Sequence, residues 1–412
     1  MAGSRVIIYI MSNDNNPIYL DHAATTPTDP QVLEAMLPYL SGTGSYGNAS
    51  SIHQFGRAAR AAVDEARDAV AKLVGADYSE IYFTGSGTEA DNLALIGTLL
   101  AASESGSTAG ANSSVRRNHL VTTSIEHHAV LHSAHFLRSR GYEVTEVGVD
   151  GEGRVAPEAI AEAITDRTAL VSVMHANNEI GTIQPIGEIA RIAHARGAKF
   201  HTDAVQTVGQ LPVDVHALDC DLLSFSAHKL YGPKGIGALY IRPGTKVSPI
   251  LHGGAQEREK RAGTENVAAI VGFGRAAQLL TGQRDRELER TRLTALRHDF
   301  LRQLLALVPD LRLNGHPTER LPNNLNVSVP GIEGPTLLMN LDRKGVAASS
   351  GSACSSGSIE PSHVLKAIGL PNDLAANGIR FTLGKDTTAE ELTRATEIFA
   401  QIVLRLRPST AA

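Results

Sequence analysis

The stretch LLSFSAHKLYGPKG, residues 222–235, places Lys229 directly after a nearly continuous apolar run. Such a run is typical of a strand that helices cover on both faces of a parallel sheet. An isolated lysine usually extends its amine to solvent along its apolar stem. Here, however, Lys229 lies close in sequence to Ser226, His228 and the turn residue Gly232. The alternative is therefore a chemical role for Lys229, and other segments of the sequence are needed to choose between the two.

Other apolar runs flank this stretch and alternate with Ala-rich helical segments; they lie at residues 81–84, 120–123, 144–149, 170–174, 199–202 and 236–241. The alternation predicts an α/β fold, with a large domain whose mostly parallel seven-stranded sheet is flanked by helices. Apolar residues at helical spacing from Ala59 to Leu73 predict an amphipathic helix that ends at Gly75. Residues 103–118, rich in Ser, Gly and Asn, are predicted to form a mobile surface insertion.

A second, smaller α+β domain is predicted after about residue 280, where the sequence becomes more charged. It begins with a long helix whose apolar face is formed by Leu288, Leu293, Leu296, Phe300, Leu304 and Val308. We expect the large domain to span residues 33–280 and the small domain to combine residues 18–32 with 281–412. Residues 1–17 are then an N-terminal extension.

The composition excludes several classes of protein. The 412 residues include 38 basic and 43 acidic side chains, a formal charge of −5, so nucleic acid is not expected as a direct ligand. No apolar run approaches the roughly 20 residues of a membrane span, and no signal peptide is predicted. Two cysteines, Cys220 and Cys354, cannot build a disulfide framework, which favours a reducing, cytoplasmic setting.

Two further segments accompany Lys229. Residues 81–92, IYFTGSGTEADN, predict a strand, a glycine-rich turn and a helix whose free N–H groups, with the Thr88 hydroxyl, would bind an anion. A turn that needs glycine only for its backbone is the alternative. In FHTDAVQ, residues 200–206, Asp203 ends an apolar strand on the side where open α/β sheets bind ligands, although an aspartate there is often a helix cap.

Together, the anion site, the carboxylate and the strand-end lysine predict pyridoxal phosphate as a cofactor. The Lys229 amine would form a Schiff base with it. The Asp203 carboxylate would keep the pyridine nitrogen protonated, so that the ring can accept electrons from the Cα of a substrate.

Cys354 lies in VAASSGSACSSGS, residues 346–358, a run of small residues that does not form a core. We expect a reactive thiol, because an unused surface cysteine is an oxidation liability; an accidental thiol is the alternative. Cys220 precedes an apolar run and is predicted to be a small buried hydrophobe. Arg380 interrupts the apolar strand GIRFTLG, so it needs a carboxylate partner, either an internal acid or the α-carboxylate of a substrate.

From about Ile18 to Leu404 the chain resembles the cysteine desulfurases of the NifS/IscS group, in the class V aminotransferase family of fold-type I pyridoxal phosphate enzymes. The resemblance is carried by YLDHAATTP (19–27), YGNASSIHQFG (46–56), TEADNLA (88–94), EHHAV (126–130), HANNEIGTIQPI (175–186), HTDAVQ (201–206), SFSAHKLYGPKGIGALY (224–240), HGGAQEREKRAGTEN (252–266) and SSGSACSSG (349–357). It implies the fold-type I architecture, pyridoxal 5′-phosphate and L-cysteine as the substrate.

The resemblance also implies roles around the cofactor ring. Lys229 is the lysine that binds the cofactor, and Asp203 pairs with the pyridine nitrogen. His127 stacks over the ring and shuttles protons, a role that suits a side chain whose pKa is near neutral. Asn178 and Gln206 hydrogen-bond the phenolate oxygen of the ring or the bound substrate.

For the phosphate, the resemblance implies Gly87, Thr88, Ser226 and His228 from the same chain. Thr264 is expected to reach the phosphate of a neighbouring subunit. The enzyme is therefore expected to be a homodimer.

For the reaction, the resemblance implies that Arg380 binds the substrate carboxylate and that the Cys354 thiolate takes the sulfur as a persulfide. L-Alanine would leave, and the loop would deliver the sulfur to a protein acceptor such as an iron–sulfur scaffold or a sulfur carrier. A selenocysteine lyase or another class V enzyme, in which Cys354 is not essential, is one alternative. A cofactor-free sulfur carrier, in which Lys229 is structural, is the other.

Overall fold

The structure is a computed structural model that describes residues 17–42, 45–108, 117–350 and 361–407. The elements of the described chain are, in order, β1 (Ile18–Tyr19), α1 (Pro30–Met36), α2 (Gln54–Leu73), β2 (Ile81–Thr84), α3 (Gly87–Thr108), β3 (His119–Thr123), α4 (His128–Ser139), β4 (Glu143–Val147), α5 (Pro157–Ala163), β5 (Thr168–Ser172), α6 (Ile186–Ala195), β6 (Lys199–Asp203), β7 (Leu222–Ser226), β8 (Gly237–Ile241), α7 (Val267–Leu279), α8 (Gln283–Leu307), β9 (Arg312–Asn314), β10 (Asn324–Ser328), α9 (Gly334–Arg343), β11 (Val346–Ala347), α10 (His363–Ala367), α11 (Asn372–Ala375), β12 (Gly378–Thr382) and α12 (Ala389–Leu406). Short 3-10 helices lie at Leu37–Tyr39, Tyr78–Glu80, Ala227–Lys229 and Gln256–Glu259.

The central feature is a seven-stranded sheet in the order β2-β8-β7-β6-β5-β3-β4. The five strands from β3 to β7 are parallel, and β8 is antiparallel to both β7 and β2. The prediction of a mostly parallel seven-stranded sheet is therefore confirmed, with each strand within two residues of its predicted bounds. Because β2 runs in the same direction as the parallel strands, six strands end at one edge of the sheet, where open α/β sheets bind ligands.

Apolar burial explains why these runs form strands and why helices cover them. Every residue of β3, β5, β7 and β8 is buried, as expected for strands with helices on both faces. The predicted amphipathic helix is α2, and Gly75 follows it with a φ of 71°. A side chain at Gly75 would also meet the Asp214 carboxylate at 2.5 Å, so glycine is required there.

A second core lies outside this sheet. It is built from Ile18 and Leu20 and from side chains between Leu293 and Val403. The antiparallel sheet β12-β10-β9 packs there with α8, α9 and α12. The predicted division between large and small domains at particular residues stays a prediction.

Two sequence expectations need correction. Leu288 is 60% exposed, whereas Leu293 and Phe300 are buried. At about 100° per residue, Leu288 lies roughly 140° around α8 from Leu293, so it is off the apolar face. The predicted insertion at 103–118 is also partly wrong, because α3 continues to Thr108; residues 109–116 lie outside the described residues.

Within the described ranges, no helix is both long and apolar enough to cross a bilayer.

Candidate active site

A cavity of about 380 Å³ opens at the carboxyl edge of the large sheet. Its lining consists of Ala23, Ala24, Ser86, Gly87, Thr88, Asp91, His127, Met174, Asn178, Asp203, Val205, Gln206, Ser226, His228, Lys229 and Arg380. The predicted site residues therefore come together in one cavity, apart from Thr264 and Cys354. Most of them converge because they lie at or just beyond the carboxyl ends of β2, β6 and β7, which end at one edge of the sheet. Arg380 reaches the cavity from β12 of the antiparallel sheet.

The N-terminus of α3 forms one end of the cavity. The oxygens of Ser86 accept hydrogen bonds from the N–H groups of Glu89 and Ala90, at 3.1 Å each. The first helical N–H groups, of Gly87 and Thr88, have no acceptor within the helix and are left for an anion. A Cβ at position 87 would lie 2.8 Å from the Val205 side chain, so the approach is open only to glycine.

Ser226 and His228 line the same cavity from the end of β7. The Nδ1 atom of His228 lies 3.2 Å from the Thr25 hydroxyl. Burial, with the nearby charge of Lys229, lowers the pKa of His228 to about 4. His228 is therefore neutral at pH 7 and offers hydrogen bonds to an anion without a full charge.

Asp203 ends β6 with its carboxylate buried at the floor of the cavity. One oxygen accepts the N–H of Val205 at 2.9 Å, and the next element in the chain is β7, so the alternative of a helix cap is wrong. Burial raises the pKa of Asp203 to about 6, opposed by that hydrogen bond and by the charge of Lys229. Among the described residues, Asp203 forms no ion pair with an arginine, lysine or histidine.

Lys229 ends the 3-10 helix that follows β7. Its Nζ donates to the backbone oxygens of Ala23 and Ala24, the latter at 2.8 Å. Gln206 donates to the same Ala23 oxygen at 3.1 Å. The segment between β1 and α1 thus holds the amine at the cavity, where the Lys229 side chain is half-buried.

His127 is the N-cap of α4, and its Nδ1 accepts the N–H of Ala129 at 3.1 Å. This bond leaves Nε2 for the cavity and places the proton of the neutral ring on Nε2. Burial, followed by the charge of Lys229, lowers the pKa of His127 to about 4. The ring is therefore uncharged at neutral pH, and the expectation of a near-neutral pKa for His127 is wrong because burial disfavours the charged ring.

Arg380 of β12 lines the cavity. The sequence alone did not decide which carboxylate pairs with its guanidinium. In the structure, Nη2 lies 2.8 Å from Asp21, and Nη1 donates to the backbone oxygen of Asn178 at 2.9 Å. Nε is buried and has no hydrogen-bond partner in the described chain. The internal acid that pairs with Arg380 is therefore Asp21, and the Nε–H of the guanidinium is left as one further hydrogen-bond donor.

The remaining sequence candidates lie elsewhere. Thr264 is exposed and lines a separate cavity of about 170 Å³ beside Gly85. Cys354 lies outside the described residues. Cys220 is fully buried as predicted, and burial raises its thiol pKa to about 12. Cys220 is therefore not a competing nucleophile.

Comparisons with known proteins agree with this geometry. Residues 18–394 match the model of the class-V aminotransferases. Cysteine desulfurase IscS of Dictyoglomus turgidum is 51% identical over 390 residues, 95% of either chain. A solved NifS-like protein has a TM-score of 0.85 at 36% identity, covering 95% of this chain and 100% of its own. SspA in complex with cysteine has a TM-score of 0.76 at 35% identity, covering 89% and 98%.

The chain belongs to the class-V aminotransferase family. The predicted group within it, the NifS/IscS cysteine desulfurases, is confirmed, and with it the fold class, desulfurase activity and pyridoxal 5′-phosphate as the cofactor. The side chains and backbone groups that line the cavity of this class-V enzyme also suit that cofactor chemically. The free N–H groups at Gly87 suit a phosphate, and the buried, unpaired Asp203 suits a protonated ring nitrogen.

The structure of this class-V enzyme adds buried groups that sequence reasoning did not single out. Asp91 lines the cavity, and Glu126 lies beside His127 with an exposure of 0%. Both stand inside motifs that carried the resemblance, TEADNLA and EHHAV. Their burial was not readable from spacing, because charged side chains of this kind usually lie on the surface.

The burial of Glu126 should make the free energy of unfolding of the apoenzyme depend on pH. Burial raises its pKa from 4.5 to about 8, opposed by hydrogen bonds from Thr123 and Met174. Between these values the folded state holds a proton that the unfolded chain has released, so stability falls as pH rises. The loss between pH 4.5 and 7 should be on the order of 3 kcal/mol.

Glu126→Gln removes this titration, so its free energy of unfolding should fall less steeply from pH 5 to 8 in urea titrations. Glu143→Gln, on the half-exposed edge strand β4, is the matched control and should follow the wild type. An equal slope in the Glu126 and control variants would contradict the assignment.

Proposed function

We propose that the enzyme converts L-cysteine to L-alanine, holds the sulfur as a persulfide on Cys354 and passes it to a protein acceptor. The observation that carries this proposal is the single cavity that joins the Lys229 amine, the Asp203 carboxylate and the Arg380 guanidinium. SspA, a structural relative at 35% identity, is known in complex with cysteine. That complex supports cysteine as the ligand of the corresponding cavity here.

The cofactor supplies an electron sink for the bonds at the substrate Cα. Asp203 holds the proton of the ring nitrogen, since its carboxylate is buried and otherwise unpaired. Gly87 and Thr88 hold the phosphate with Ser226 and His228. Lys229 would bind the cofactor through Nζ, and its free amine would move a proton at that atom.

His127 and Asn178 complete the cavity beside the substrate. His127 presents a protonated Nε2, because Nδ1 is occupied by the Ala129 N–H. Its low pKa keeps the ring neutral, so Nε2–H can donate a hydrogen bond to the substrate without repelling the Lys229 ammonium. Asn178 and Gln206 offer amide groups to the substrate or to the ring oxygen.

Arg380 binds the substrate carboxylate. The ion pair with Asp21 fixes the guanidinium in the wall, and the unpartnered Nε leaves a donor. A second carboxylate can therefore join without displacing Asp21, because a guanidinium carries five N–H donors.

Arg380→Ala is expected to lower kcat/KM for L-cysteine by about 30- to 1000-fold, through a loss of about 2 to 4 kcal/mol of charge-assisted binding. Most of the change should be in KM, because the carboxylate does not react. Arg380→Lys keeps the charge and should recover part of the loss. An unchanged kcat/KM would make Arg380 a structural partner of Asp21 only.

The chain on either side of Cys354 is fastened to the cavity wall. Ser349 and Arg380 exchange backbone hydrogen bonds of 2.6 and 3.1 Å. On the other side, the Ser362 hydroxyl donates to Glu179 at 2.5 Å. Cys354 follows Ser350 by four residues and lies outside the described residues. The contacts of the chain on its two sides support Cys354 as the thiol that meets the substrate.

In the sulfur step, the Cys354 thiolate attacks the sulfur of the bound substrate. An S–S bond forms and the Cβ–S bond breaks, with its electron pair passing to the substrate carbon. Protonation of that carbon skeleton completes L-alanine. The substrate carbon is reduced as the sulfur is oxidised, so no external reductant is needed. The carrier thiol favours a reducing, cytoplasmic setting.

We expect a homodimer. Several large apolar side chains near the N-terminus are exposed, and they are Leu33, Leu37, Leu40, Tyr46, Ile52 and Phe55. Exposed apolar groups of this size are typical of protein interfaces. A second copy covering them would also give exposed Thr264 a route to the partner's phosphate site. Light scattering should give the mass of two chains.

The experiment that tests the proposed function measures alanine and sulfide from L-cysteine, with the persulfide located by mass spectrometry. A selenocysteine lyase would release selenium from selenocysteine without using Cys354 and would leave L-cysteine nearly untouched. The acceptor, an iron–sulfur scaffold or a sulfur carrier, is identified by which protein takes labelled sulfur from the persulfide.

A further inference from the structure

Three buried carboxyl groups lie at and beside the floor of the cavity, near enough to affect one another electrostatically. We call them the carboxyl cluster; they are Asp91 of α3, Glu126 before α4 and Asp203 of β6. Their exposures are 1%, 0% and 6%. Among the described ion pairs, Asp91 meets only His201, at 3.7 Å, and neither other member meets a lysine or arginine. Burying three negative charges without positive partners would cost more free energy than folding can offset. At least one carboxyl group of the carboxyl cluster must therefore hold a proton.

Asp91 has the surroundings of a protonated acid. Its Oδ1 is buried without a hydrogen-bond partner in the described chain. The Ser224 hydroxyl lies close enough to lower the pKa of Asp91, against the larger effect of burial. Ser224 Oγ lies 3.0 Å from His201 Nε2, and His201 Nδ1 lies 2.8 Å from Ser172 Oγ. Burial lowers the pKa of His201 to about 3, so it brings no positive charge to Asp91. An ionised Asp91 would leave a bare, buried oxygen.

This hydrogen-bonded group lies against Asp203. His201 and Asp203 are alternate residues of β6, so their side chains share one face of the sheet. Ser224 is the direct neighbour of Asp203 on β7. Helix α3, which carries Asp91, packs on β6 and β7. Asp91 can thus act on the position of Asp203 through Ser224 and His201.

We propose that Asp91 holds a proton and, through Ser224 and His201, is a positioning residue that keeps the one negative charge of the carboxyl cluster on Asp203. The proposal rests on the role of Asp203 given under the proposed function.

The direction of each pKa shift supports the proposal. Burial and the charge of Asp203 raise the pKa of Asp91 well above its ordinary value. Burial raises the pKa of Glu126 to about 8 and that of Asp203 to about 6. Near pH 7 the charge therefore falls on Asp203, which accepts the Val205 N–H and, alone among the three, has its pKa lowered by the charge of Lys229.

The other titratable groups around the carboxyl cluster fit this distribution. Lys229 faces Asp203 across the cavity, and its charge lowers the pKa of Asp203. His127 lies next to Glu126 and is neutral at pH 7. His175 donates its backbone N–H to the Asp203 backbone oxygen at 2.9 Å, and burial lowers its pKa to about 4. Lys229 is thus the only cation of this group, and it favours charge on Asp203.

The experiment uses cofactor-loaded enzyme without cysteine and has two readouts, the pH midpoint of the visible absorbance band and the rate of cofactor release. Asp91→Asn has the size and neutrality of the protonated acid, so both readouts should match the wild type. Asp91→Ala removes the contact to Ser224. Its release should be about tenfold faster, and its midpoint should move to higher pH, because a loosely held Asp203 protonates the ring nitrogen less completely.

Thr98→Val is the matched control, a buried position two turns further along α3 that does not line the cavity, and it should match the wild type. A midpoint shift of about one pH unit in Asp91→Asn would show that Asp91 carries a charge and would overturn the proposal. Wild-type values for Asp91→Ala would also overturn it. If the alanine variant fails to fold, as judged by near-UV circular dichroism, the asparagine titration decides alone. Because no cysteine is added, these results do not depend on Cys354 or on desulfuration.

Discussion

Lys229→Ala is expected to abolish the visible absorbance band near 400 nm and to reduce turnover by on the order of 10⁴-fold. In the proposed function, the amine is the covalent anchor of the cofactor and the group that moves a proton at Nζ. Within the described chain, it is the lysine that lines the cavity. Its position over the cavity is fixed by the oxygens of Ala23 and Ala24, and an alanine side chain can neither reach nor replace it.

Lys234→Ala is the matched control, because Lys234 lies five residues on, is exposed and does not line the cavity. It should retain both the band and turnover. Borohydride reduction followed by peptide mass spectrometry locates the covalent bond. A reducible bond that persists in Lys229→Ala would place the Schiff base on another lysine and would contradict the assignment of Lys229 as the lysine that binds the cofactor.

Cys354→Ser is expected to keep the yellow colour and to bind L-cysteine, yet to form alanine on the order of 10³-fold more slowly. In the proposed function, Lys229, Asp203 and His127 act without help from Cys354, so substrate binding and colour should be preserved. Breaking the Cβ–S bond requires a soft thiolate. A serine hydroxyl, with a pKa far above 7, does not supply one.

Wild-type enzyme treated with L-cysteine should gain about 32 Da, one sulfur atom, on the peptide that contains Cys354. The peptide that contains Cys220 should gain nothing, since that thiol is buried and its pKa is raised to about 12. Cys220→Ala is therefore the matched control and should desulfurate at the wild-type rate. Sulfur on Cys220, or undiminished alanine formation by Cys354→Ser, would favour the selenocysteine-lyase alternative.

Arg380 shows how far the sequence alone could reach. An arginine inside an apolar strand indicated that a carboxylate partner was needed, but two partners remained open. The structure provides Asp21, which is 359 residues away in sequence, and still leaves Nε without a partner in the described chain. The sequence predicts the need for charge compensation, whereas only the packing of β1 beside β12 decides which acid supplies it.

The amino-acid sequence by itself determined the seven apolar strands, the helix that Gly75 follows and the strand-end positions of Asp203 and Lys229. These features follow from local periodicity and from the rule that parallel strands present their carboxyl ends at one edge. The tertiary structure decided the exposure of Leu288, the contacts of Lys229 with Ala23 and Ala24, and the carboxyl cluster. Those depend on which distant segments pack together and exclude water, and hence on burial, which moves a carboxyl pKa far more than any neighbour in sequence does.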